Sequence, residues 1–341
     1  MRPLVEALCS ERCAGRKPGT PEGRAARAEV LGALRGVGLD AFEQEVPGCR
    51  GANVLATIPG DVDRWVLVGA HFDHLGKLGG EVFWGADDNA AAVAILVEVA
   101  AGLGRRRPAG RGVILASFDA EEAPHFLTGT MGSEHFARQP VVPLDRIDLM
   151  VCMDLVGHAF GGEGLPGEVR SSLFALGAER SAGTAEHLAG LATAEPGVVL
   201  RPADAQIIPP LSDYVAFWER RRPFLFLTAG RWRHYHTPSD TPEKLDYGKM
   251  AATARWLERF VRETCARPEG PFAFVDTRRD ATTLRTLIDL TATLAAISPE
   301  AEQARAYAGA LLALCDREGR LPPGREDEVG MLVGALESRL A

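Results

Sequence analysis

Short apolar runs of strand length alternate with longer stretches of helical periodicity along most of this chain. The alternation is typical of strand–helix–strand units wound around a mostly parallel sheet. Runs such as 66–68 and 224–227 are apolar throughout, as expected of strands covered by helices on both faces. The pattern predicts an α/β protein with three layers, α/β/α, around a mostly parallel, mixed central sheet. Strands are predicted at Asn53–Ile58, Trp65–Ala70, Val113–Phe118, Leu149–Met153, Val198–Arg201 and Phe224–Thr228, and helices at Pro21–Val37, Asn89–Leu103, Ser133–Arg138, Ala182–Leu191, Ser212–Arg220 and Pro242–Cys265.

The last of these helices has clear start signals in the sequence. Pro242 suits the first helical position, and Glu243 suits the first turn. Asp240 or Thr241 could accept a hydrogen bond from a free amide of that turn. We therefore expect one of these two residues to be the N-cap.

The chain changes character after residues 267–270. The remainder contains three helical patterns and no predicted strand, with breaks at 298–299 and 319–324. We therefore divide the chain into an α/β domain, residues 1–270, and a helical C-terminal extension, residues 271–341. The first helical pattern has an apolar face that must be buried, either on the α/β domain or in a homo-oligomer or other partner. That face consists of Leu284, Leu287, Ile288, Leu290, Leu294 and Ile297.

Composition narrows the classes of function. The 341 residues are 46% hydrophobic and 25% charged, proportions of a folded globular protein, and the formal net charge is −8. The acidic balance gives no electrostatic reason to bind nucleic acid. No apolar run reaches the ~18 residues of a membrane span, and charges interrupt the first dozen residues where a signal peptide needs an apolar core. We therefore expect a cytoplasmic protein with no nucleic-acid or membrane partner. The six cysteines form no CxxC pair and are expected to be reduced.

Polar clusters follow four of the predicted strands at the point where each strand ends, and a fifth cluster opens a helix. In an open α/β sheet the ligand crevice lies beyond the carboxyl ends of the strands. The clusters can therefore converge although they are far apart in sequence. They are His71–Gly76, Asp119–Glu122, Asp154, His234–Thr241 and, at the helix start, Gly85–Asn89.

Imidazoles and carboxylates in this combination are the ligands that Zn²⁺ takes at catalytic sites, where one carboxylate can bridge two ions about 3.5–4 Å apart. His71 and Asp73 are two apart on an extended segment, so both point to the same side and Asp73 can fix the tautomer of His71. Of the adjacent Glu121 and Glu122, one can bind metal while the other approaches the water to be activated. Each motif alone is commonly structural, but their joint order favours a metal site.

The ordered motifs resemble those of the co-catalytic zinc aminopeptidase family. Its relatives include bacterial leucyl aminopeptidases, glutamate carboxypeptidase II and glutaminyl cyclases. The resemblance extends from about residue 15 to residue 266, and the family gives no function for the helical extension. The motifs that carry it are Gly69–Asp73, Gly85–Asn89, Asp119–Glu122, Met153–Asp154 and Tyr235–Thr241.

The resemblance implies two zinc ions, each with ligands of its own and with one ligand shared between them. His71 and Asp154 would bind one ion, Glu122 and His236 would bind the other, and Asp88 would bridge them. Co²⁺ or Mn²⁺ could occupy the same nitrogen and oxygen ligands. Beside the second ion, residues 123–131 form a longer loop than the family pattern has, and we hypothesise that it shapes a substrate side pocket.

The resemblance also implies the chemistry. Glu121 would be the general base toward a water shared by the metals, and Asp73 would orient His71. The expected activity is that of a zinc-dependent exopeptidase, an aminopeptidase that hydrolyses the N-terminal residue from peptide substrates.

Other functions stay open at this point. A carboxypeptidase or dipeptidase would need a basic pocket for the substrate carboxylate, which Arg231 and Arg233 could supply. A glutaminyl cyclase fits less well, because cyclases of this fold work with one zinc. A binding protein on a peptidase fold without activity predicts the loss of a ligand, and none is lost here.

Overall fold

Parallel strands form the centre of an eight-stranded sheet in the computed structural model, which describes residues 1–268 and 270–340. The described residues form ten strands, of which eight belong to this sheet. They are β1 (Phe42–Val46), β2 (Gly51–Ile58), β3 (Val62–His71), β4 (Gly76–Leu78), β5 (Glu81–Phe83), β6 (Arg111–Phe118), β7 (Ile147–Met153), β8 (Ser172–Leu176), β9 (Val199–Ala203) and β10 (Phe224–Thr228). Their order in the sheet is β1-β2-β6-β3-β7-β10-β8-β9, and β4 pairs with β5 separately. Neighbours from β6 through β3 and β7 to β10 are parallel, whereas β1, β2 and β8 add antiparallel pairings. The mixed, mostly parallel sheet that the sequence predicts is confirmed.

Helices cover both faces of this sheet. They are α1 (Arg2–Leu8), α2 (Pro21–Gly36), α3 (Ala91–Arg105), α4 (Gly132–Arg138), α5 (Gly167–Arg170), α6 (Thr184–Gly190), α7 (Val215–Trp218), α8 (Tyr247–Cys265), α9 (Asp280–Leu294), α10 (Pro299–Leu312) and α11 (Glu326–Leu340). Alternate residues of β3 belong to different cores: Val66 and Val68 pack in the cluster that includes α2, α3 and α8. Leu67 between them packs in the cluster that includes Phe136 of α4 and Phe217 of α7. Both faces of the sheet are therefore buried, which explains the uninterrupted apolar strands.

The apolar face predicted for the first helix of the extension is mostly buried within the same chain. Leu284 and Leu287 of α9 pack with Leu311 of α10 in one cluster. Leu290 and Leu294 pack in another cluster, which includes Phe160 and Val169 of the α/β part. Ile297 lies beyond the end of α9 and is exposed. The extension is thus docked against the sheet region by its own side chains.

Two parts of the strand and helix predictions are wrong or incomplete. The predicted strands omit β1, β4, β5 and β8, which are short; β1 lies at the sheet edge and reads Phe-Glu-Gln-Glu-Val, with little apolar signal. Neither Asp240 nor Thr241 caps the long helix. Residues 242–244 form a separate 3₁₀ turn, and α8 starts at Tyr247 with Asp246 as N-cap, its side chain accepting from the Lys249 amide at 2.9 Å. The Asp240 carboxylate instead accepts from backbone amides of the loop that precedes α3.

Among the described residues, none of the helices combines the length and the apolar character that crossing a membrane requires.

The observed cap gives a test of where α8 begins. Asp246→Ala should lower the free energy of unfolding by about 1 kcal/mol, because an amide of the first turn loses its acceptor. Asp246→Asn keeps an acceptor and should change it little. Thr241→Ala should stay within about 0.5 kcal/mol. Chemical denaturation measures all three, and a larger loss for Thr241→Ala than for Asp246→Ala would contradict the assignment.

Candidate metal centre and active site

The polar clusters that follow β3, β6, β7 and β10 meet at one edge of the sheet. These four strands are neighbours and run in the same direction, so their carboxyl ends open on one crevice. His71 is the last residue of β3, and Asp154 directly follows β7. Glu121 and Glu122 come after β6, and His236 lies in the loop after β10. The structure therefore brings together side chains separated by nearly half of the chain.

A first group of ligand atoms surrounds the ring nitrogen of His71. His71 Nε2 lies 3.4 Å from Asp88 Oδ1 and 3.5 Å from Asp154 Oδ1. Glu121 Oε2 lies slightly farther away, at 3.8 Å from the same nitrogen. Such an imidazole with two carboxylates is a ligand group for one divalent ion.

A second group forms on the other oxygen of Asp88. His236 Nε2 lies 3.1 Å from Asp88 Oδ2 and 3.3 Å from Glu122 Oε1. Because Asp88 Oδ1 faces the first group and Oδ2 the second, this carboxylate occupies the position of a bridge. The five ligands that the resemblance implies lie together in the structure.

His74 belongs to the second group, although the motifs assigned no role to it. Its Nδ1 lies 2.8 Å from Glu122 Oε1 and 3.8 Å from Asp88 Oδ2, and its ring is fully buried. The residue was visible in the His71–Gly76 cluster, three positions after His71. Its spacing alone could not establish which way the ring points, because β3 ends at His71 and the alternation of a strand no longer applies.

The loop before α3 is fixed by groups that bind its backbone. The Asp240 carboxylate accepts from the amides of Asp87 and Asp88, at 2.9 and 3.2 Å. The buried guanidinium of Arg16 donates to the carbonyl oxygens of Gly85, at 2.6 Å, and Asp88, at 3.1 Å. Asp88 is therefore positioned by its main chain, which leaves both carboxylate oxygens for the two groups.

Asp87 and Asn89 flank the bridging position and point away from it. Asp87 accepts from the Gly157 amide at 2.6 Å and lies 2.7 Å from Nδ1 of His158. Asn89 donates to the carbonyl oxygen of Met153 at 2.8 Å. Both side chains are committed to structural contacts, in agreement with their having no assigned ligand role.

Asp73 holds the backbone of the two adjacent glutamates. Its two carboxylate oxygens accept from the amides of Glu121 and Glu122, at 3.0 and 3.1 Å. Its contact with Nδ1 of His71 is longer, 3.6 Å, beyond a hydrogen bond, while its carbonyl oxygen lies 3.3 Å from that nitrogen. The geometry therefore makes Asp73 a positioning residue for the glutamates as well as for the imidazole.

The adjacent glutamates have different electrostatic surroundings. Burial raises the pKa of Glu121 well above its usual value, and the Asp154 carboxylate adds to this effect. For Glu122 burial acts in the same direction, but contacts with His236 and His74 outweigh it and lower the pKa. The raised pKa makes Glu121 the stronger proton acceptor of the two, as a general base requires, while Glu122 favours the carboxylate form, as a ligand requires.

A further buried acid, Asp213, lies near this cluster. Burial raises the pKa of Asp213 to about 7. Its negative charge is among those that raise the pKa of Glu121. Asp213 lies within residues 15–266, where the resemblance to the aminopeptidase family extends, but the motifs assigned no role to it.

The donor atoms fit divalent metal ions. Several ring nitrogens and carboxylate oxygens that point into the cluster are buried and form no hydrogen bond of normal geometry among the described residues, although Nδ1 of His74 and Oε1 of Glu122 lie 2.8 Å apart. Buried polar atoms left without hydrogen bonds are costly, and cations coordinated within the two groups remove that cost. These atoms are His71 Nε2, His74 Nδ1, Glu122 Oε1 and Asp154 Oδ1.

The cluster lies at one end of a cavity of about 220 Å³. Asp88, Glu121, Asp154 and His236 line that end. The remaining walls are mostly apolar and come from the sheet, from residues 203–211 and from α9 and α11. A substrate bound in the cavity would thus have one end beside Glu121 and another against apolar side chains.

The long loop at residues 123–131 does not line this cavity. Pro124, His125 and Phe126 are absent from its walls among the described residues. Nδ1 of His125 instead lies 2.9 Å from Oγ1 of Thr130 within the loop. The hypothesis that the loop shapes the side pocket is therefore wrong for this cavity, whose walls come from the sheet, from residues 203–211 and from α9 and α11.

Comparison with known proteins agrees with this geometry. A sequence profile of Peptidase family M28 matches residues 53–261, more than half of the chain. The uncharacterized protein YfbL of Escherichia coli is 28% identical over 63% of this chain and 72% of that protein. The glutaminyl-peptide cyclotransferase of Boiga irregularis is 28% identical over 73% of this chain and 77% of its own. The LapA aminopeptidase of Legionella pneumophila has a similar fold, with a TM-score of 0.63 and 16% identity over 79% of this chain and 73% of that chain.

The place of His74 leads to a test by metal binding. His74→Ala should weaken zinc binding at the second group by about 10-fold or more. The substitution removes either a nitrogen that binds the metal or a contact that orients the Glu122 carboxylate. Competition with a chromogenic chelator measures the affinity, and elemental analysis measures the zinc bound per chain. His135→Ala, on the surface of α4, is the matched control and should bind zinc as the unaltered protein does. Equal affinities of the two variants would exclude His74 from the centre.

Proposed function

This chain belongs to Peptidase family M28, and from that premise we propose that it is a metal-dependent aminopeptidase. The observation that supports the proposal most is the shared Asp88, which faces an imidazole–carboxylate group on each side, with Glu121 beside them at the end of a cavity. The proposed reaction is hydrolysis of the first peptide bond of a substrate with a free amino terminus.

The proposed metal content is two zinc ions. His71, Asp88 and Asp154 would hold one, while Asp88, Glu122 and His236, joined by His74, would hold the other. Divalent ions supply Lewis-acid polarisation of a carbonyl group and lower the pKa of water. Cobalt or manganese would fit the same donor atoms.

Glu121 is the proposed general base and acid. It would take a proton from the attacking water and deliver it to the nitrogen of the departing peptide, so that one carboxylate serves both steps. Asp73 contributes by holding the Glu121 amide, which fixes the backbone from which this side chain extends. The Glu121 carboxylate lies 3.8 Å from Nε2 of His71, beside the first ligand group, and lines the cavity, whereas Glu122, held by the same aspartate, is turned toward the second ligand group.

Surface charges around the cavity favour an amino terminus over a carboxyl terminus. Arg231, the nearest candidate for binding a substrate carboxylate, pairs with Glu337 at 3.2 Å. Arg233 donates to Nε2 of His234 at 3.2 Å and is absent from the cavity walls among the described residues. Among the described residues, the cavity walls therefore offer a substrate carboxylate no unpaired arginine or lysine. A carboxypeptidase is therefore the weaker proposal.

Cyclisation of amino-terminal glutamine is a second candidate function. It is favoured by the similarity to a glutaminyl-peptide cyclotransferase over 73% of this chain. The cavity walls argue against it, because a buried glutamine amide needs hydrogen-bond partners. The three threonine hydroxyls in the wall already pair with backbone groups: Thr228 with the Gly230 amide, Thr283 with the Asp204 amide and Thr286 with the Pro202 carbonyl.

The role of Glu121 is tested by comparing two neighbouring substitutions. Glu121→Gln should lower kcat by about 10²–10⁴-fold with zinc content unchanged, because the proton acceptor is lost while the ligands stay. Glu122→Gln should lower both kcat and the zinc bound at the second group. Steady-state kinetics with elemental analysis measures both quantities. Wild-type turnover by zinc-loaded Glu121→Gln would refute the assignment.

The reaction is tested with one panel of peptides that have free, acetylated or amidated ends, including a set with amino-terminal glutamine. We expect mass spectrometry to find the first residue released from free and amidated peptides and acetylated peptides left intact. Chelator should stop the reaction and added zinc should restore it. Release of carboxyl-terminal residues from acetylated peptides would establish a carboxypeptidase. Loss of ammonia from glutaminyl peptides without cleavage would establish a cyclase.

A further inference from the structure

The helical extension forms a wall of the cavity that holds the catalytic cluster. Leu287 and Leu290 of α9 line it, together with Val333, Leu336 and Leu340 of α11. Asp88, Glu121, Asp154 and His236 line the same cavity. The extension therefore contacts the space in which a substrate would lie.

Polar contacts attach α9, one helix of this wall, to β9 and to the residue that follows it. Thr286 donates to the carbonyl oxygen of Pro202 in β9, and Thr283 accepts from the Asp204 amide at 2.9 Å. The fully buried guanidinium of Arg201 pairs with Asp289 of α9. These contacts fix α9 along β9, so its apolar residues at positions 287 and 290 face the cavity in the folded chain.

α11 is attached both to α9 and to the loop that contains a metal ligand. Val329 of α11 packs in the same buried cluster as Leu284 and Leu287 of α9. At the other end, Glu337 pairs with Arg231, with Nε–Oε1 and Nη2–Oε2 distances of 3.2 and 3.4 Å. Arg231 lies in the loop between β10 and His236. The cavity wall and this loop are thus coupled by an ion pair at the cavity rim.

The size of the cavity limits what it can hold. A dry cavity of about 150 Å³ accommodates one benzene molecule. The volume here, about 220 Å³, suits one large side chain such as that of leucine or phenylalanine. It is too small for several residues of a peptide.

The chemistry of the walls limits the side chain further. Most lining residues are apolar, among them Phe160, Phe174 and Phe226 from the α/β part. The three wall threonines, Thr228, Thr283 and Thr286, already have backbone partners. A polar side chain would lose hydrogen bonds to water on entry without regaining them, whereas an apolar side chain gains by leaving water.

We propose that α9 and α11 form the specificity pocket of this enzyme and select peptides whose first residue is large and apolar. The proposal rests on the proposed aminopeptidase function, because it assigns the cavity to the side chain next to the attacked carbonyl group. It gives the C-terminal extension a direct part in substrate selection.

A matched pair of substitutions on α11 tests the pocket. Both Val333 and its neighbour Leu332 pack against the cluster of Leu284, but only Val333 lines the cavity among the described residues. Val333→Phe fills the pocket, and should lower kcat/KM for leucyl and phenylalanyl peptides by about 10-fold or more while alanyl peptides change by less than about 3-fold. Leu332→Phe adds a ring outside the pocket and should leave the preference unaltered. Melting temperatures of both variants exclude general unfolding. An equal loss for all substrates, or none, would overturn the proposal.

A binding measurement separates failure of the pocket from failure of the enzymatic function. Benzyl alcohol titrated calorimetrically into the full chain should bind the unaltered protein and Leu332→Phe, and should lose binding in Val333→Phe. If no peptide is cleaved but this pattern holds, the aminopeptidase function is wrong and the substrate assignment falls with it, while the apolar pocket stands. If benzyl alcohol binds none of the three, or all three equally, the pocket itself is refuted.

Discussion

The structure of this site depends on one constraint, which is that several carboxylates are buried close together. Asp88, Glu121, Glu122 and Asp154 are all buried at the carboxyl ends of adjacent parallel strands. Like charges this close cannot all remain ionised away from water unless cations balance them. An imidazole reduces the repulsion between carboxylates only when it is protonated. A divalent ion reduces the repulsion between all the carboxylates that coordinate it. Four of the atoms that would bind metal form no hydrogen bond among the described residues, so their surroundings suit cations.

The groups surrounding the ligands act mainly on the main chain. Asp73 accepts from the Glu121 and Glu122 amides, Asp240 accepts from amides before α3, and Arg16 donates to carbonyl oxygens of the same loop. Backbone held in this way determines where each side chain begins, without occupying the atoms needed for metal. Each side chain then needs only its own rotamer to be fixed, which reduces the entropy lost when a metal or substrate binds.

The extension changes the character of this crevice. On the sheet alone, the carboxyl ends of the strands would open to solvent on the side where α9 and α11 now lie. Helices packed there exclude water from part of the crevice and replace it with leucine side chains. Water exclusion strengthens the electrostatic interactions beside it, so an apolar wall also affects the charged cluster that shares its cavity.

The sequence by itself determined the layered α/β fold and the residues of the candidate metal centre, because strand-length apolar runs and the polar clusters that end them are local features. His71, Asp88, Glu122, Asp154 and His236 lie together as the motifs predicted. Only the tertiary structure decided the rest: that His74 joins them, that Asp240 binds the loop before α3 rather than capping α8, and that α9 and α11 complete the cavity. Those outcomes depend on contacts between segments distant in sequence, and residue periodicity contains no information about which distant partner a side chain meets.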